Sequence, residues 1–358
     1  MLKSIFIILT ILNISSFANE ELRQKALSKG LNQVPNNFRK IKELFDNSRN
    51  PITLPKIRLG KQLFNDKNLS LSRKISCATC HNIKKGGEDG KPTAIGHMNL
   101  KNPHHLNTPT VLNAAFATKL FWNASSPNLA DQAKGPSLAP FEMASTPKLI
   151  EQRVKENKEY IEQFKNIFEN NESITFDNVT KIIATYEKVL VTRGSFDKFL
   201  DGDDTAINEN SKKGLNLFIT LGCKGCHNGE AVGGEIVSRF PLRPYNGLIV
   251  PKFIYNGERR VLDSVKFQFG KESAQYPFDN KGDFLGKKGT KLFRVPILRN
   301  ITKTAPYFHN GMVKDLNKAI FIMGKYQLGI DLNKEQISQI EEFFKTLEGD
   351  IVDFGIDY

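Results

Sequence analysis

The sequence predicts a mostly α-helical fold in two related domains with long irregular loops, and three observations support this. The chain has 358 residues, more than one small hydrophobic core usually organises. Apolar residues recur at helical spacing in several segments. A five-residue cysteine motif occurs twice, and each copy follows a similar helix-like run, Gly60–Phe64 and Gly214–Phe218, which indicates an internal repeat.

Two segments show the helical pattern most clearly. Between Val179 and Leu190, apolar residues recur at i, i+3, i+4 and i+7, as on a helix with one buried face. A similar series runs from Ile337 to Leu347. Asn333 precedes it as an N-cap and Gln336 follows three residues later, the spacing of a capping box. We therefore expect a helix in each segment.

The stretch from Gly86 to Pro109 contains four glycines and three prolines. It is therefore expected to be irregular, and its length for a loop indicates a functional role. The sequence turns polar and glycine-bearing between Gly194 and Asp204, which marks the expected domain boundary. The predicted division is a signal peptide at 1–18, an N-terminal domain at 19–200 and a C-terminal domain at 201–358.

Composition excludes several classes of protein. The hydrophobic fraction of 39% and charged fraction of 25% are ordinary for a globular protein. The net charge is +13, but the basic residues are scattered, so no nucleic-acid partner is expected. A solvated basic surface explains the charge more simply than attraction to an acidic partner. No run of 18 apolar residues follows the first twenty positions, so no stable membrane insertion is expected.

The N-terminus has the pattern of a secretory signal. Lys3 precedes an apolar stretch from Ile5 to Ile14, and Ser16 and Ala18 place small residues before a cleavage point. Cleavage after Ala18 predicts export, most simply to a bacterial periplasm. The alternative is a short membrane anchor.

All four cysteines lie in two C-x-x-C-H pentads. In this motif two thiols add across the vinyl groups of a haem, and the adjacent histidine binds its iron. Two copies that use every cysteine predict two covalently bound haem c groups. The residues concerned are Cys77, Cys80 and His81 in the first pentad and Cys223, Cys226 and His227 in the second.

Other interpretations of the cysteines are a disulfide, a thioredoxin-like redox site and a zinc site. None of these explains a histidine directly after each second cysteine. Each iron also needs a sixth ligand or an open position, and spacing alone does not choose among the candidates. These are His97, His104, His105, His309, Met98, Met143, Met312 and Met323.

Ordered blocks resemble the bacterial di-haem cytochrome c peroxidases over nearly the whole mature chain. They are CATCH with the loop ending at Ile95-Gly96-His97, Asn107–Asn113, Phe121-Trp122, Asp131–Pro136 with Phe141–Met143, CKGCH, Val295–Asn300, Thr304–Gly311 and Ile322–Gly324. The resemblance implies two cytochrome c-like haem domains and an enzyme that reduces hydrogen peroxide to water with electrons from a small cytochrome c. Family members often form dimers, so a homodimer is expected on that basis alone.

The resemblance also implies roles for individual residues. His81 would bind the peroxidatic, low-potential haem, and His97 would cap that haem at rest and leave on activation. His227 and Met323 would bind the iron of the high-potential haem. Glu142 matches the catalytic carboxylate.

Further roles follow from the same resemblance. Gln132 matches the amide beside the peroxide, and Trp122 the aromatic residue between the haems. A calcium ion would bind Asn107, Thr304 and Pro306, since oxygen ligands suit this cation.

The chain departs from the family pattern at two points. Asn123-Ala124-Ser125 follows Trp122 where the family commonly has Asp-Gly-Arg, and the pair His104-His105 adds competing haem ligands. Two other functions stay open: a di-haem maturase-type oxidase that acts on a protein, and a di-haem electron carrier without a substrate. In the maturase a tyrosine replaces the methionine ligand, so Met323 weighs against it.

Overall fold

The computed structural model describes residues 17–48, 50–168, 174–242 and 276–356. The predicted signal peptide lies almost wholly outside these ranges. Helices dominate, which confirms the mostly α-helical prediction. The helices are α1 (17–28), α2 (Phe38–Phe45), α3 (Leu54–Asn65), α4 (Cys77–Cys80), α5 (Leu129–Leu138), α6 (Pro147–Glu156), α7 (Lys158–Phe168), α8 (Phe176–Glu187), α9 (Ser195–Leu200), α10 (Glu209–Thr220), α11 (Leu316–Ile322) with a π-helical continuation (Met323–Leu328), and α12 (Lys334–Thr346).

Four short strands form two antiparallel pairs within these described ranges. They are β1 (Thr192–Gly194), β2 (Val237–Arg239), β3 (Leu292–Arg294) and β4 (Gly349–Ile351). Strand β1 pairs with β4, and β2 pairs with β3. Between residues 86 and 109 the backbone forms nothing longer than the 3₁₀ turn His97–Asn99, so the predicted irregular loop is confirmed. No helix in the described segments has the length and apolar content to cross a bilayer.

The first hydrophobic core lies among α2, α3, α6, α7 and α8. Helices α3 and α8 meet closely at Gly60, where a Cβ would stand 2.4 Å from the carbonyl oxygen of Ile182 and 2.7 Å from Cβ of Tyr186. The helix predicted between Val179 and Leu190 is present as α8. It ends at Glu187, so Val189 and Leu190 are buried beyond its end rather than on its face.

The second core lies among α9, α10, α11 and α12, and repeats the same close packing. A Cβ on Gly214 of α10 would stand 1.8 Å from the carbonyl oxygen of Gln339 in α12. The predicted capping box is confirmed, because Asn333 and Gln336 exchange side-chain to backbone hydrogen bonds of 2.9 and 3.0 Å. Glycine therefore lets the two helices of each core approach to backbone contact.

The ends of the described chain cross between the two cores. Ala26 and Leu31, near the N-terminus, belong to the second core, and Ile356 belongs to the first. The segment proposed as the boundary forms α9, where Asp197 is fully buried and paired with Arg299 at 2.7 Å. The predicted division at residue 200 stays a prediction, but the two halves are interleaved at their ends.

The loops of the two halves repeat one backbone path. Three pairs of residues with positive φ stand 187 positions apart, and so do the two isolated β-bridges Leu120–Ser126 and Tyr307–Val313. Helices α5 and α11 begin after caps with this same separation, Asn128 and Asp315. The positive-φ pairs are Asn113 and Asn300, Phe121 and Phe308, and Ala124 and Gly311.

A buried threonine joins the two repeated loops. The side-chain amides of Asn113 and Asn300 both donate to Oγ1 of Thr192, each at 2.8 Å. Thr192 lies on β1 and is 1% exposed. Its backbone N–H donates a hydrogen bond to Oδ1 of Asn113 at 2.8 Å. Oδ1 of Asn300 accepts from the backbone of Gly349 on β4 at 2.9 Å. The hydroxyl of Thr192 is therefore the shared anchor of both halves.

The variant Thr192→Val is expected to destabilise the fold by roughly 2–6 kcal/mol, because it leaves two buried amide donors without a partner at about 1–3 kcal/mol each. Urea unfolding followed by helical circular dichroism measures the loss. Thr205→Val is the matched control, since the hydroxyl of Thr205 is exposed and bonds Asp203. Equal unfolding free energies for the two variants would contradict the anchor.

Candidate functional site

The first pentad lines a cavity of about 440 Å³. Cys77 and Cys80 form the ends of the single-turn helix α4, so both sulfurs come from one helical turn, as the sequence predicts. His81 caps the C-terminus of α4. All three residues line this first cavity, together with the predicted Gln132 and Glu142.

The ring of His81 is held by the irregular loop. Its Nδ1 lies 3.1 Å from the carbonyl oxygen of Gly87, which makes Nδ1 the donor and leaves Nε2 as a free base. Burial lowers the pKa of His81, so the ring is neutral. Gly87 has φ of 76°, and a Cβ there would stand 2.7 Å from Oγ1 of Thr110. The loop therefore holds the ring of His81 with Nε2 free, as a metal ligand would require.

The second pentad lines a separate cavity of about 220 Å³, together with Met323. Burial lowers the pKa of His227 to about 4, and the backbone of Val232 and Pro296 offsets part of this fall. Gly233 packs between His227 and Pro296, where a side chain would not fit. A Cβ there would stand 2.2 Å from the carbonyl oxygen of Pro296 and 3.1 Å from Nδ1 of His227. This second cavity thus holds a neutral imidazole and a thioether.

The four thiols are unpaired. Burial raises the pKa of Cys77, that of Cys80 to about 11 and that of Cys223 to about 12. A reactive cysteine or a zinc ligand needs the opposite shift. The two pairs line different cavities, and no group of three His, Cys, Asp or Glu in the described segments is placed to hold a metal. A pair of unoxidised thiols beside a neutral imidazole at each cavity fits haem.

One wall separates the two cavities. Trp122, Asn107 and Arg294 line both of them. Nε1 of Trp122 donates to the carbonyl oxygen of Asn107 at 2.8 Å, and the carbonyl of Trp122 accepts from the backbone N–H of Arg294 at 2.9 Å. The indole also packs edge-on against His309, with ring centroids 6.4 Å apart. The structure therefore places the tryptophan between the two cavities.

Glu142 is half-buried beside the irregular loop. Burial raises its pKa, and a hydrogen bond from Asn102 acts in the opposite direction. The backbone carbonyl of Glu142 accepts from the N–H of His97 at 2.8 Å. A Cβ on Gly96 would stand 2.3 Å from the carbonyl oxygen of Phe141. The loop that carries His97 thus rests directly on the segment that carries the carboxylate.

The loop histidines differ in position. Gly96 lines the first cavity and His97 does not, although Nδ1 of His97 is buried without a hydrogen-bond partner. His104 lines the first cavity, whereas His105 does not. His105 packs beside Gly282, where a Cβ would approach it to 2.7 Å.

The predicted calcium ligands lie together. Nδ2 of Asn107 is 2.5 Å from the carbonyl oxygen of Pro306, and Oδ1 of Asn107 is buried without a partner. Thr304 lines the same second cavity. The hydroxyl of Thr304 donates to the carbonyl of Ile301 at 3.2 Å, so of the three predicted ligands only Asn107 has a buried side-chain oxygen without a partner.

The repeated backbone path shows how the two cavities differ. Helices α5 and α11 begin at equivalent positions, so Pro136 in the first half corresponds to Met323 in the second. Pro136 lines the first cavity and Met323 lines the second. The first cavity therefore has no side-chain donor at the position where the second has a thioether.

Sequence analysis missed two charged residues at these cavities. Arg294 lines both cavities and is buried, and Glu187 of α8 lines the first. Burial raises the pKa of Glu187 to about 8. The signal that could have found them is a charged residue within an apolar run, which costs free energy unless it is used.

Two helical halves, each with a C-x-x-C-H pentad at its own cavity, define a di-haem protein of cytochrome c-like architecture. A family model described as di-haem cytochrome c peroxidase matches residues 55–205. Cytochrome c551 peroxidase of Nitrosomonas europaea is 40% identical over 301 residues, 83% of this chain and 81% of that protein. Cytochrome c551 peroxidase of Pseudomonas aeruginosa is 39% identical over 304 residues, 84% and 80% respectively.

A solved structure shares the fold. A MauG-like protein associated with microbial copper homeostasis superposes with a TM-score of 0.65 at 24% identity, covering 89% of this chain and 93% of that one. From the sequence relatives, this chain belongs to the di-haem cytochrome c peroxidase family. It is a peroxidase with two haem groups, as the sequence predicts.

The variant Pro136→Met is expected to lower peroxide turnover by on the order of tenfold or more. The new thioether would stand where Met323 stands in the second half and compete with peroxide for the iron. Steady-state kinetics and the appearance of a second methionine-ligated haem spectrum measure this. Pro136→Ala is the control, which adds no ligand; equal turnover in the two variants would disprove the equivalence.

Proposed function

We propose that the protein reduces hydrogen peroxide to two waters in the first cavity, with two electrons from a small cytochrome c and two protons. The observation that carries this proposal is the pair Pro136 and Met323. Because the second cavity has a thioether at the equivalent position, it suits a closed electron-transfer haem. The first cavity has none there and suits substrate binding.

We propose covalent attachment of each haem through the paired cysteines at its cavity. Once bound, the haem at His81 supplies the iron-centred redox chemistry of peroxide cleavage. His81 is oriented for this by the carbonyl of Gly87, and the neutral ring of His227 serves the other haem.

Glu142 is proposed as the proton carrier. Cleavage of the O–O bond requires a proton to move from the inner to the outer oxygen of peroxide, and a carboxylate in the cavity can move it. Burial raises the pKa of Glu142, which makes its carboxylate a stronger base for taking up the proton of the inner oxygen. Gln132 lines the same cavity and its amide can orient the peroxide.

The protein is proposed to take its electrons at the second cavity. Trp122 lines both cavities and is proposed to couple them, and Met323 raises the affinity of the second haem for an electron. The thioether also weighs against the maturase-type function, in which a tyrosine holds this place. A plain carrier would not need Glu142 and Gln132 in the first cavity.

Calcium, location and assembly are also proposed. Asn107, Thr304 and Pro306 would hold one calcium ion next to the wall, because Asn107 also fixes Trp122. Elemental analysis after gel filtration in calcium-free buffer should find one ion per chain.

Export to the periplasm rests on the signal pattern, and cell fractionation tests it. A homodimer rests on the family resemblance, and light scattering tests it.

The variant Glu142→Gln is expected to reduce peroxide turnover by roughly 10²–10⁴-fold, the usual contribution of a general acid–base group. The assay follows oxidation of reduced small cytochrome c by peroxide, on protein whose intact mass first shows two attached haems. Glu162→Gln is the matched control, since Glu162 is exposed on α7. Full turnover by Glu142→Gln would refute the acid–base role, and a mass without haem would refute covalent attachment.

The variant His97→Gly is expected to turn over peroxide without prior reduction, because it removes the imidazole proposed to cap the first haem at rest. Activity is compared before and after partial reduction of the protein. His104→Gly is tested in parallel, since His104 lines the cavity. If only His104→Gly abolishes the need for reduction, His104 rather than His97 is the cap.

A further inference from the structure

Arg294, the last residue of β3, is a buried cation whose side chain forms no ion pair with the described residues. It is 4% exposed, and its Nε and Nη1 are buried with no hydrogen-bond acceptor in the described part of the chain. No carboxylate there forms an ion pair with it. Burial lowers its pKa to about 10, so the guanidinium is still charged at neutral pH. Such a group is costly unless an anion meets it.

The arginine five residues further on shows how this fold treats a buried cation. Arg299 is also fully buried, and both of its terminal nitrogens bond the carboxylate of Asp197 at 2.7 and 2.8 Å. Its Nε donates to the carbonyl of Glu230. Arg299 is therefore neutralised by Asp197, whereas no carboxylate of the described residues neutralises Arg294.

The surroundings of Arg294 indicate where its anion comes from. Its side chain lines both cavities, and its backbone N–H holds the carbonyl of Trp122 at 2.9 Å. No acidic residue of the described chain lines the second cavity. Glu142 and Glu187 line the first but neither pairs with Arg294. No acid of the described residues therefore meets this guanidinium, and a haem in either cavity would bring two propionate carboxylates to it.

We propose that Arg294 binds a haem propionate at the wall between the two cavities and is a positioning residue for electron transfer. A guanidinium presents two parallel N–H donors to a carboxylate, which fixes the haem edge in orientation as well as in distance. The backbone N–H of Arg294 also bonds the carbonyl of Trp122. Arg294 would therefore position both the haem edge and the residue proposed to couple the two haems. The inference rests on the proposed placement of a haem in each cavity.

The salt bridge has a consequence for the reduction potential. A cation beside the porphyrin edge favours the reduced iron, which carries less positive charge. Without Arg294 the propionate keeps its negative charge unpaired and favours the oxidised iron. Loss of the guanidinium therefore lowers the potential of the haem that it contacts.

The test is a spectroelectrochemical titration of the holoprotein carrying Arg294→Met. The midpoint potential of one haem is expected to fall by about 59 mV, a tenfold shift in its ratio of reduced to oxidised form. The haem whose potential moves identifies the propionate, since the methionine-ligated and open haems have distinct spectra. Arg58→Met is the matched control, because it makes the same charge change at an exposed position on α3.

The outcomes separate this inference from the proposed function. If Arg294→Met retains two haems and peroxide turnover but both potentials equal those of Arg58→Met, the propionate contact is wrong and the function stands. If the wild-type protein carries no haem at all, the cavity assignment itself is wrong. Should Arg294→Met not fold, Arg294→Gln decides. It removes the charge but keeps a polar amide, so a fall of similar size supports the contact and no fall contradicts it.

Discussion

The structure depends on a single buried hydroxyl, that of Thr192, which accepts a hydrogen bond from an asparagine of each half. Both asparagines have a left-handed backbone, with φ of 61° and 59°. Asparagine tolerates this conformation and also has an amide to donate. The loops that follow them, 187 positions apart, carry Trp122 and His309 to the same wall. A junction of this kind keeps two cavities in register without a large shared core.

Duplication of one backbone path lets the two halves take different chemical roles. Each half has a pentad, a neutral histidine and a glycine at its closest helix contact. The differences lie at equivalent positions, where a proline in one half corresponds to a methionine in the other. Ligand donors can change at such positions because the helix caps and the packing glycines hold the backbone. The cavities therefore share a scaffold, and at this equivalent position only the second has a thioether.

Buried charge concentrates at the cavities. Glu187, Glu142 and Arg294 all lie in surroundings that disfavour their charged forms. Arg299, by contrast, is neutralised within the fold by Asp197. Buried charge without a partner is uncommon in proteins and clusters at functional sites. In this protein it surrounds the two cavities that are proposed to hold the haems.

The sequence by itself determined the class of fold, both haem pentads, the capping box at Asn333, the irregular loop and the family, because each depends on local spacing or on motifs in order. It also pointed to Gln132 and Glu142 for the first haem and to Met323 for the second, but not to Arg294 or Glu187. Only the tertiary structure decided that α8 ends before Val189, that the chain ends cross between cores, and that Pro136 corresponds to Met323. It alone placed Arg294 at the shared wall. These features depend on contacts between residues far apart in the chain, such as Asn113 with Thr192, which no local pattern encodes.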